Sequence, residues 1–410
     1  MTTDFPQRIR LTEAEALIDV VGARHCLPAI RIDCADALGC VLTESVTAPI
    51  DLPVFDNSAM DGYAVCGADL DPARPVRLRL IGEQFAGPSK ALSIASGECV
   101  RITTGAPMPT GADTVVIREN AVASGALIEC RPGTLPGANL RRAGEDVTAG
   151  QILLSAGQRL DAAQLGLCAA LGLDSVMVEP RARVAVFSSG DELRAAGQPL
   201  LAGEIYDSNG PMLAALLASE GIAARRGPVL PDQPQAMLDR LRGAASDSDL
   251  LITCGGVSAG DKDHLPALLQ QHGRLHFWRV QIKPGMPLLL GELDGTLVLG
   301  LPGNPVAVLA CFLVLGRRLI DRLEGFAGLR SQHFARLRRA VEKRHERLEF
   351  MRGELRSDPD GVLRVMPDDA TGSHRLAAAS RANALIVLPE VACLLEADTV
   401  VPVVPFGTVG

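Results

Sequence analysis

A chain of 410 residues exceeds what one hydrophobic core organises, so roughly two to four domains are expected. Hydrophobic residues make up 47% of it, ample for burial, and a net charge of -8 argues against a broad nucleic-acid footprint. Only four of the 40 basic residues are lysines (Lys90, Lys262, Lys283 and Lys343), so any anionic ligand has to be met locally. The ten cysteines contain no CxxC pair and sit among apolar neighbours, as in LGLCAAL around Cys168 and VLACFLV around Cys311. That pattern reads as buried thiols in a reducing compartment. The first residues, MTTDFPQRIR, lack the apolar stretch of a signal peptide. The longest apolar run, Val306 to Leu315, is about half a membrane span. A soluble, cytoplasmic protein without a membrane anchor is the expectation.

In chain order, residues 12–24 read as a helix: Thr12 with Glu15 resembles a capping box, and Ala14, Leu17, Ile18 and Val21 repeat at helical spacing. Residues 50–146 are rich in Gly and Pro, with short β-like runs such as VRLRLIG and DTVVIRE, and read as an all-β insertion. A second helix is expected from about Asp161 to Leu171, stopped by Gly172. From Arg183 short apolar strands (RVAVFSS, DLLITC, TLVLGL) alternate with helices, the signature of a doubly wound parallel sheet. Beyond about residue 330 charged turns separate β-like stretches, including a hairpin around Asp358 to Gly361 and the run ALIVLPE. The expected fold class is therefore multidomain α/β plus β. It comprises a helical linker domain (1–49 and 147–178), the inserted β domain (50–146), a doubly wound α/β domain (179–328) and a small barrel-like C-terminal β domain (329–410).

Ligands of open α/β sheets gather at the carboxyl ends of the strands. Three strand-to-helix turns there are unusual: SSGDEL (188–193), CGGVSAGDKD (254–263) and LPGNP (301–305). In the second, Gly255, Gly256 and Gly260 let backbone approach a ligand, and successive N–H groups near a helix start cradle an oxyanion. Asp261 and Asp263 would repel a bare anion, which suggests a divalent cation such as Mg²⁺ bridging carboxylate and phosphate. The bland alternative is a tight turn followed by an Asp helix cap. In LPGNP, Pro302 and Pro305 fix two backbone angles, and Gly303 is expected to permit an unusual one. Two further carboxylate runs lie in the insertion, DLPVFDNSAMDGYAV (51–65) and LRRAGED (140–146).

Familiar nucleotide signatures are missing: no Lys follows a Gly, so there is no GxxxxGK[ST], and neither GxGxxG after a strand nor HExxH occurs. His272 and His276 straddle Gly273 and make a poor metal pair. Residues 256–260 fit G-x-S-x-G, so a serine hydrolase using Ser258, with Asp294 and His333 in the expected order, is an alternative. A nucleophile elbow passes directly into a helix, however, whereas GDKD intervenes here and Pro266 marks the first helical turn.

Taken in order, LPVFDNSAMDGYA, RITTGAPMPTGADTVV, RRAGED, SSGDEL, GEIYDSN, TCGGVSAGDKD, IKPGMP, GLPGNPVA, GSHRL and ANALIVLPE resemble the molybdopterin molybdenumtransferase family, which includes the E domain of gephyrin. The resemblance spans nearly the whole chain. It implies an α/β domain of the molybdopterin-binding type and a homodimer in which the inserted domain of one subunit faces the α/β domain of the other. It also implies the reaction, in which adenylylated molybdopterin and molybdate yield molybdenum cofactor and AMP. The functional carboxylates it points to are Asp61, Asp146, Glu192, Asp232 and Asp263, with Glu192, Asp261 and Asp263 as candidate Mg²⁺ ligands. Thr104, Lys283, Pro302, Gly303, Asn304 and Pro305 belong to the same surface. Molybdate, a tetrahedral dianion, should seek Lys283 or Arg352, with Ser373 as a hydroxyl donor.

The dithiolene sulfurs of the pterin would ligate the metal, so no clustered cysteines are needed. Cys254, Met286 and Ala307 depart from the pattern of the resemblance, and Met286 removes a cation where IKPGMP would otherwise carry a second lysine. A molybdopterin-adenylating protein and molybdoenzyme maturation factors are expected partners. A non-catalytic scaffold is the other alternative, against which the retained carboxylates stand.

Overall fold

The computed structural model describes residues 5–258, 260, 263–368, 372 and 375–407. By contacts the chain forms two compact units, one of Met1–Thr43, Gly157–Asp161 and Ser175–Gly410, the other of Glu44–Ala156 and Ala162–Asp174. The expected helical segment is thereby divided between them. Its first part belongs with the α/β layer because strand Gln7–Ile9 pairs in parallel with Arg274–Val280. Helix Leu11–Arg24 buries Leu11, Ala14, Ile18 and Val21, close to the spacing read from sequence. It packs on helix Arg317–Leu323 so tightly at Gly22 that a Cβ there would lie 2.6 Å from Arg322 Cβ. The expected Thr12/Glu15 box is displaced, because the helix already begins at Leu11 and Glu13 instead accepts the Arg10 N–H at 2.7 Å.

In the larger unit a seven-stranded sheet runs in the order Gln7–Ile9, Arg274–Val280, Leu289–Leu293, Thr296–Leu301, Leu250–Cys254, Val184–Ser188, Arg225–Arg226. Every residue of Val184–Ser188, Leu250–Cys254 and Thr296–Leu301 is buried, as continuous apolar strands covered on both faces must be. The sheet is mixed, not wholly parallel as expected: Leu289–Leu293 runs antiparallel to both neighbours. Its cause is the Asp294-Gly295 pair, both at positive φ (49° and 86°), which closes a two-residue hairpin.

The C-terminal strands close on themselves. Leu348–Ser357, Leu363–Pro367, His333–Leu337, Val400–Pro405 and Ala384–Leu388 pair in sequence, and Leu348–Ser357 pairs again with Ala384–Leu388, giving a small five-stranded barrel. The hairpin expected at Asp358–Gly361 joins the first two, with Gly361 at φ 77°. Strand Ile282–Lys283 from the α/β layer pairs in parallel with the start of Leu348–Ser357. That register sets Lys283 beside Glu349.

The smaller unit is built on a six-stranded sheet in the order Ala121–Ser124, Leu127–Cys130, Val76–Gln84, Glu98–Ile102, Gly62–Val65, Thr114–Ile117, around Val65, Leu78, Cys99, Val116 and Ile128. Its helix Ala162–Ala170 ends before Gly172, at φ 75°, as read from sequence. Seven of the ten cysteines are buried, while Cys26, Cys66 and Cys393 are half-exposed. Among the described residues no helix is long and apolar enough to cross a membrane.

One ion-pair knot joins distant parts of the larger unit. The fully buried Glu324 carboxylate accepts from Arg159 Nη1 and Arg181 Nη1, each at 2.7 Å, and from the Ala182 N–H at 3.0 Å. Removing one partner of such a cluster strands the others in low dielectric. A Glu324→Leu variant is expected to lose about 3–5 kcal/mol of unfolding free energy in urea titration, and an unchanged midpoint would contradict this.

Candidate active site

At the carboxyl ends of the central strands the unusual turns are tied together by backbone hydrogen bonds. Ser189 N donates to Cys254 O (2.8 Å), and Gly255 N donates to Leu301 O (3.0 Å). Gly255 sits at φ 90°, and a Cβ on it would lie 2.8 Å from Ser189 O, so only glycine lets these turns touch. At Gly190, φ 142°, the Glu192 carboxylate folds back to within 2.4 Å of where a Cβ would be. Asp232 N donates to Asp191 Oδ1 at 3.3 Å, and its carbonyl lies 3.2 Å from His264 Nε2. Asp232 thus links the SSGDEL turn to the end of the CGGVSAGDKD turn. Asp263 Oδ2 accepts the Gly260 N–H at 2.9 Å, closing that turn on itself.

Sequence reasoning missed Asn209 as a site residue. At the start of helix Asn209–Ser219 it donates from Nδ2 to Gly303 O (2.7 Å) and so braces the LPGNP turn. Its Oδ1 and the Oγ1 of Thr253, both buried, have no hydrogen-bond partner among the described residues. Buried orphan polar groups, one next to the last residue of strand Leu250–Cys254 and one at a helix start, are groups a ligand can satisfy. The signal available in sequence was the DSN turn immediately before an apolar helix.

The LPGNP turn also borders a cavity of about 260 Å³. Lys283, Met286, Pro302, Asn304 and Arg352 line it, together with Arg347, Glu349 and Asp368, which sequence had not singled out. Lys283 Nζ lies 3.0 Å from Glu349 Oε1, and the buried Arg352 Nε donates to Asp368 Oδ2 at 2.9 Å. His345 closes the first pair from behind, with Nε2 2.9 Å from Glu349 Oε2 and 3.1 Å from Lys283 Nζ. Burial holds the His345 imidazole below its usual pKa, against the neighbouring Glu349 carboxylate, which raises it.

In the smaller unit, strand Asn57–Ser58 pairs with Leu140–Arg141 and brings the two carboxylate runs side by side. The exposed Asp61 carboxylate accepts from both the backbone N–H and the hydroxyl of Thr104, each at 2.8 Å. Those bonds, with Arg118 and Arg101 nearby, hold Asp61 below the ordinary carboxylate range. Asp56 accepts from Ala143 N (2.7 Å), and Asp146 N donates to Leu52 O (3.0 Å), leaving the exposed Asp146 side chain for solvent or ligand. Gly62 in the same run is obligatory, since a Cβ would lie 2.0 Å from Val116 O.

The chain is 35% identical to a molybdopterin molybdenumtransferase of Haemophilus influenzae, over 91% of this chain and 92% of that one. It is 39% identical to molybdopterin molybdenumtransferase 2 of Mycobacterium tuberculosis, over 90% and 92%. The chain belongs to the molybdopterin molybdenumtransferase family. Three family models match it in order: the MoeA N-terminal region (domain I and II) at 9–172, a probable molybdopterin binding domain at 185–322 and the MoeA C-terminal region (domain IV) at 335–406. Among solved structures, a molybdopterin biosynthesis MoeA protein of Pyrococcus horikoshii superposes with a TM-score of 0.78 at 28% identity, covering 98% of this chain and all of that one.

With the family established, each expected residue can be placed. Glu192, Asp232, Asp263, Gly255, Gly256, Ser258, Gly260, Pro302, Gly303, Asn304 and Pro305 lie on the tied turns of the larger unit, and Lys283 and Arg352 line its cavity. Asp61, Thr104 and Asp146 lie in the smaller unit, while Asp261 and Ser373 fall outside the described residues. Two expectations are corrected. Gly303 has no positive φ; its carbonyl serves instead as the acceptor for Asn209. Asp263 is not a helix cap either, because helix Leu265–His272 has His264 at that position. The hydrolase alternative lacks its geometry, since the helix begins only at Leu265, seven residues after Ser258, and among the described residues the Ser258 hydroxyl meets no histidine or carboxylate.

The Asp61–Thr104 contact yields a direct test. Thr104→Val keeps the backbone donor and removes the hydroxyl, so the Asp61 titration midpoint followed by carboxyl NMR should rise toward the usual value. A midpoint that does not move would show that the hydroxyl bond contributes nothing in solution.

Proposed function

We propose that this protein transfers molybdenum from molybdate to molybdopterin, taking the adenylylated pterin and releasing AMP. The observation that carries the reading is the position of the LPGNP turn: Pro302 and Asn304 line the cationic cavity, while Leu301 and Gly303 of the same turn are bonded to the glycine turn and to Asn209. A pterin phosphate bound on the tied turns would therefore sit next to a chamber suited to a small oxyanion.

Cleaving a phosphoanhydride requires holding the bond in place and neutralising charge that grows on the departing phosphate. The Gly255 and Gly256 backbone supplies close approach, the unspent Thr253 hydroxyl can donate to a phosphate oxygen, and the unspent Asn209 Oδ1 can accept from an N–H or O–H of the pterin. The tetrahedral dianion takes Lys283, Arg347 and Arg352, and the dithiolene sulfurs of the substrate take the metal. Glu192 and Asp263, with Asp261, are hard oxygen donors of the kind Mg²⁺ accepts. Mg²⁺ characteristically keeps several waters and takes its other ligands from one or two carboxylates and substrate phosphate. When bound, that ion would neutralise charge on the phosphate oxygens. Asp61 and Asp146 are proposed to act in the same reaction. A homodimer and a cytoplasmic location are proposed from the family alone.

The assay is incubation of the pure protein with adenylylated molybdopterin, Mg²⁺ and molybdate, read as AMP and as cofactor that activates an apo-molybdoenzyme. Absence of both would overturn the reading. Asp263→Asn keeps the size of the side chain and an acceptor for the Gly260 N–H while removing one negative charge. AMP release should fall by roughly a hundredfold at low Mg²⁺ and recover in part at high Mg²⁺. Normal turnover across the Mg²⁺ titration would return Asp263 to a purely structural role in its turn.

A further inference from the structure

The cations around the 260 Å³ cavity are not equivalent. Lys283 is neutralised by Glu349, and Arg352 by Asp368. Arg347 lines the same cavity, and among the described residues no carboxylate stands within ion-pair distance of its guanidinium. The described lining thus carries three cations against two carboxylates, and the unbalanced charge is that of Arg347.

His345 sharpens the difference. Arg347 N donates to His345 Nδ1 at 3.3 Å, and the shorter 2.9 Å contact of Nε2 with Glu349 Oε2 matches the tautomer with its hydrogen on Nε2. That Nε2–H then donates to Glu349 Oε2, and Lys283 is left to donate to Glu349 Oε1. Both Glu349 oxygens are occupied, and Lys283 is clamped at the wall. The residue that donates to His345 also lines the cavity, and a planar, five-donor guanidinium can meet two oxygens of one oxyanion with two of its N–H groups.

We infer that Arg347 is the anion-recruiting cation of the cavity, drawing in a tetrahedral oxyanion dianion by its uncompensated charge while Lys283 and Arg352 hold positions fixed by their carboxylates. The inference rests on the proposed transferase reading, and concerns the anion step alone.

Two readouts separate them. Equilibrium binding of molybdate, and separately of sulfate, is measured by calorimetry on the full chain and on Arg347→Gln and Arg347→Lys variants. The expected result is about tenfold weaker binding of both anions in Arg347→Gln, the scale of one charge-assisted contact, with partial recovery in Arg347→Lys. In turnover, Arg347→Gln should raise the KM for molybdate by a similar factor while kcat and the KM for adenylylated molybdopterin stay within about twofold. Equal molybdate affinity in the wild type and Arg347→Gln, with thermal melts showing both folded, overturns the inference. So does a wild-type chain that binds neither anion. Loss of binding in the variant of a chain that never releases AMP would leave Arg347 in place and remove the transferase reading.

Discussion

Glu324 is the point on which the larger unit turns, because the chain passes it repeatedly. Gly39 lies just before the chain leaves for the insertion, Arg159 is in the short stretch where it comes back, Arg181 opens the α/β layer, and Glu324 follows its last helix. Arg159 Nη1 and Arg181 Nη1 each donate to Gly39 O (2.7 and 2.8 Å) as well as to the Glu324 carboxylate. Gly39 adopts φ 76°, and a Cβ there would press on the Arg181 guanidinium at 3.3 Å. A buried carboxylate costs several kcal/mol to desolvate, and only a full set of donors offsets it. The knot therefore contributes less to raw stability than to uniqueness: any arrangement that misplaces one of these segments leaves a buried charge without a partner. Asp321 extends it, meeting Arg159 at 3.1 Å and Arg330 at 2.7 Å.

With the strands fixed in that way, the turns at their carboxyl ends need little further energy to assemble. Their contacts are backbone hydrogen bonds of ordinary length between glycine-permitted close approaches, so their geometry is set by the sheet itself. This is why the site can leave two buried polar groups unsatisfied: the surrounding bonds hold the turns whether or not a ligand is present. The barrel contributes by strand register. Pairing Ile282–Lys283 with Leu348–Glu349 is a two-residue contact, yet it delivers Lys283, Glu349 and, three positions further, Arg352 to the same cavity.

Much of this was legible in the sequence because periodicity and turn chemistry act locally. Helix Leu11–Arg24, the apolar strands, the Asp358–Gly361 hairpin and the stop at Gly172 all follow from nearby residues. The reversed strand Leu289–Leu293 was also encoded locally, in Asp294-Gly295, but the alternation of strands and helices around it outweighed that two-residue signal. The capping box moved by two residues because choosing the first helical residue depends on Leu11 packing in the core, a tertiary fact. The turns that carry the site were readable as Gly, Pro and Asp clusters. Arg347, His345 and Glu349 were not: in the stretch RHERLEF they look like any solvated charge run, and only the pairing of the barrel strand with Ile282–Lys283 turns them inward.

The balance of charge in the cavity follows from what an empty site can tolerate. Like charges repel, more strongly as the effective dielectric falls, so three bare cations lining one cavity would oppose folding before any anion arrived. Glu349 and Asp368 remove that repulsion for Lys283 and Arg352 and fix both side chains, which lowers the ordering cost of binding. The same carboxylates also weaken the field an anion feels. On the proposed reading, the one guanidinium left without a carboxylate then supplies the net attraction that a dianion meets in the cavity.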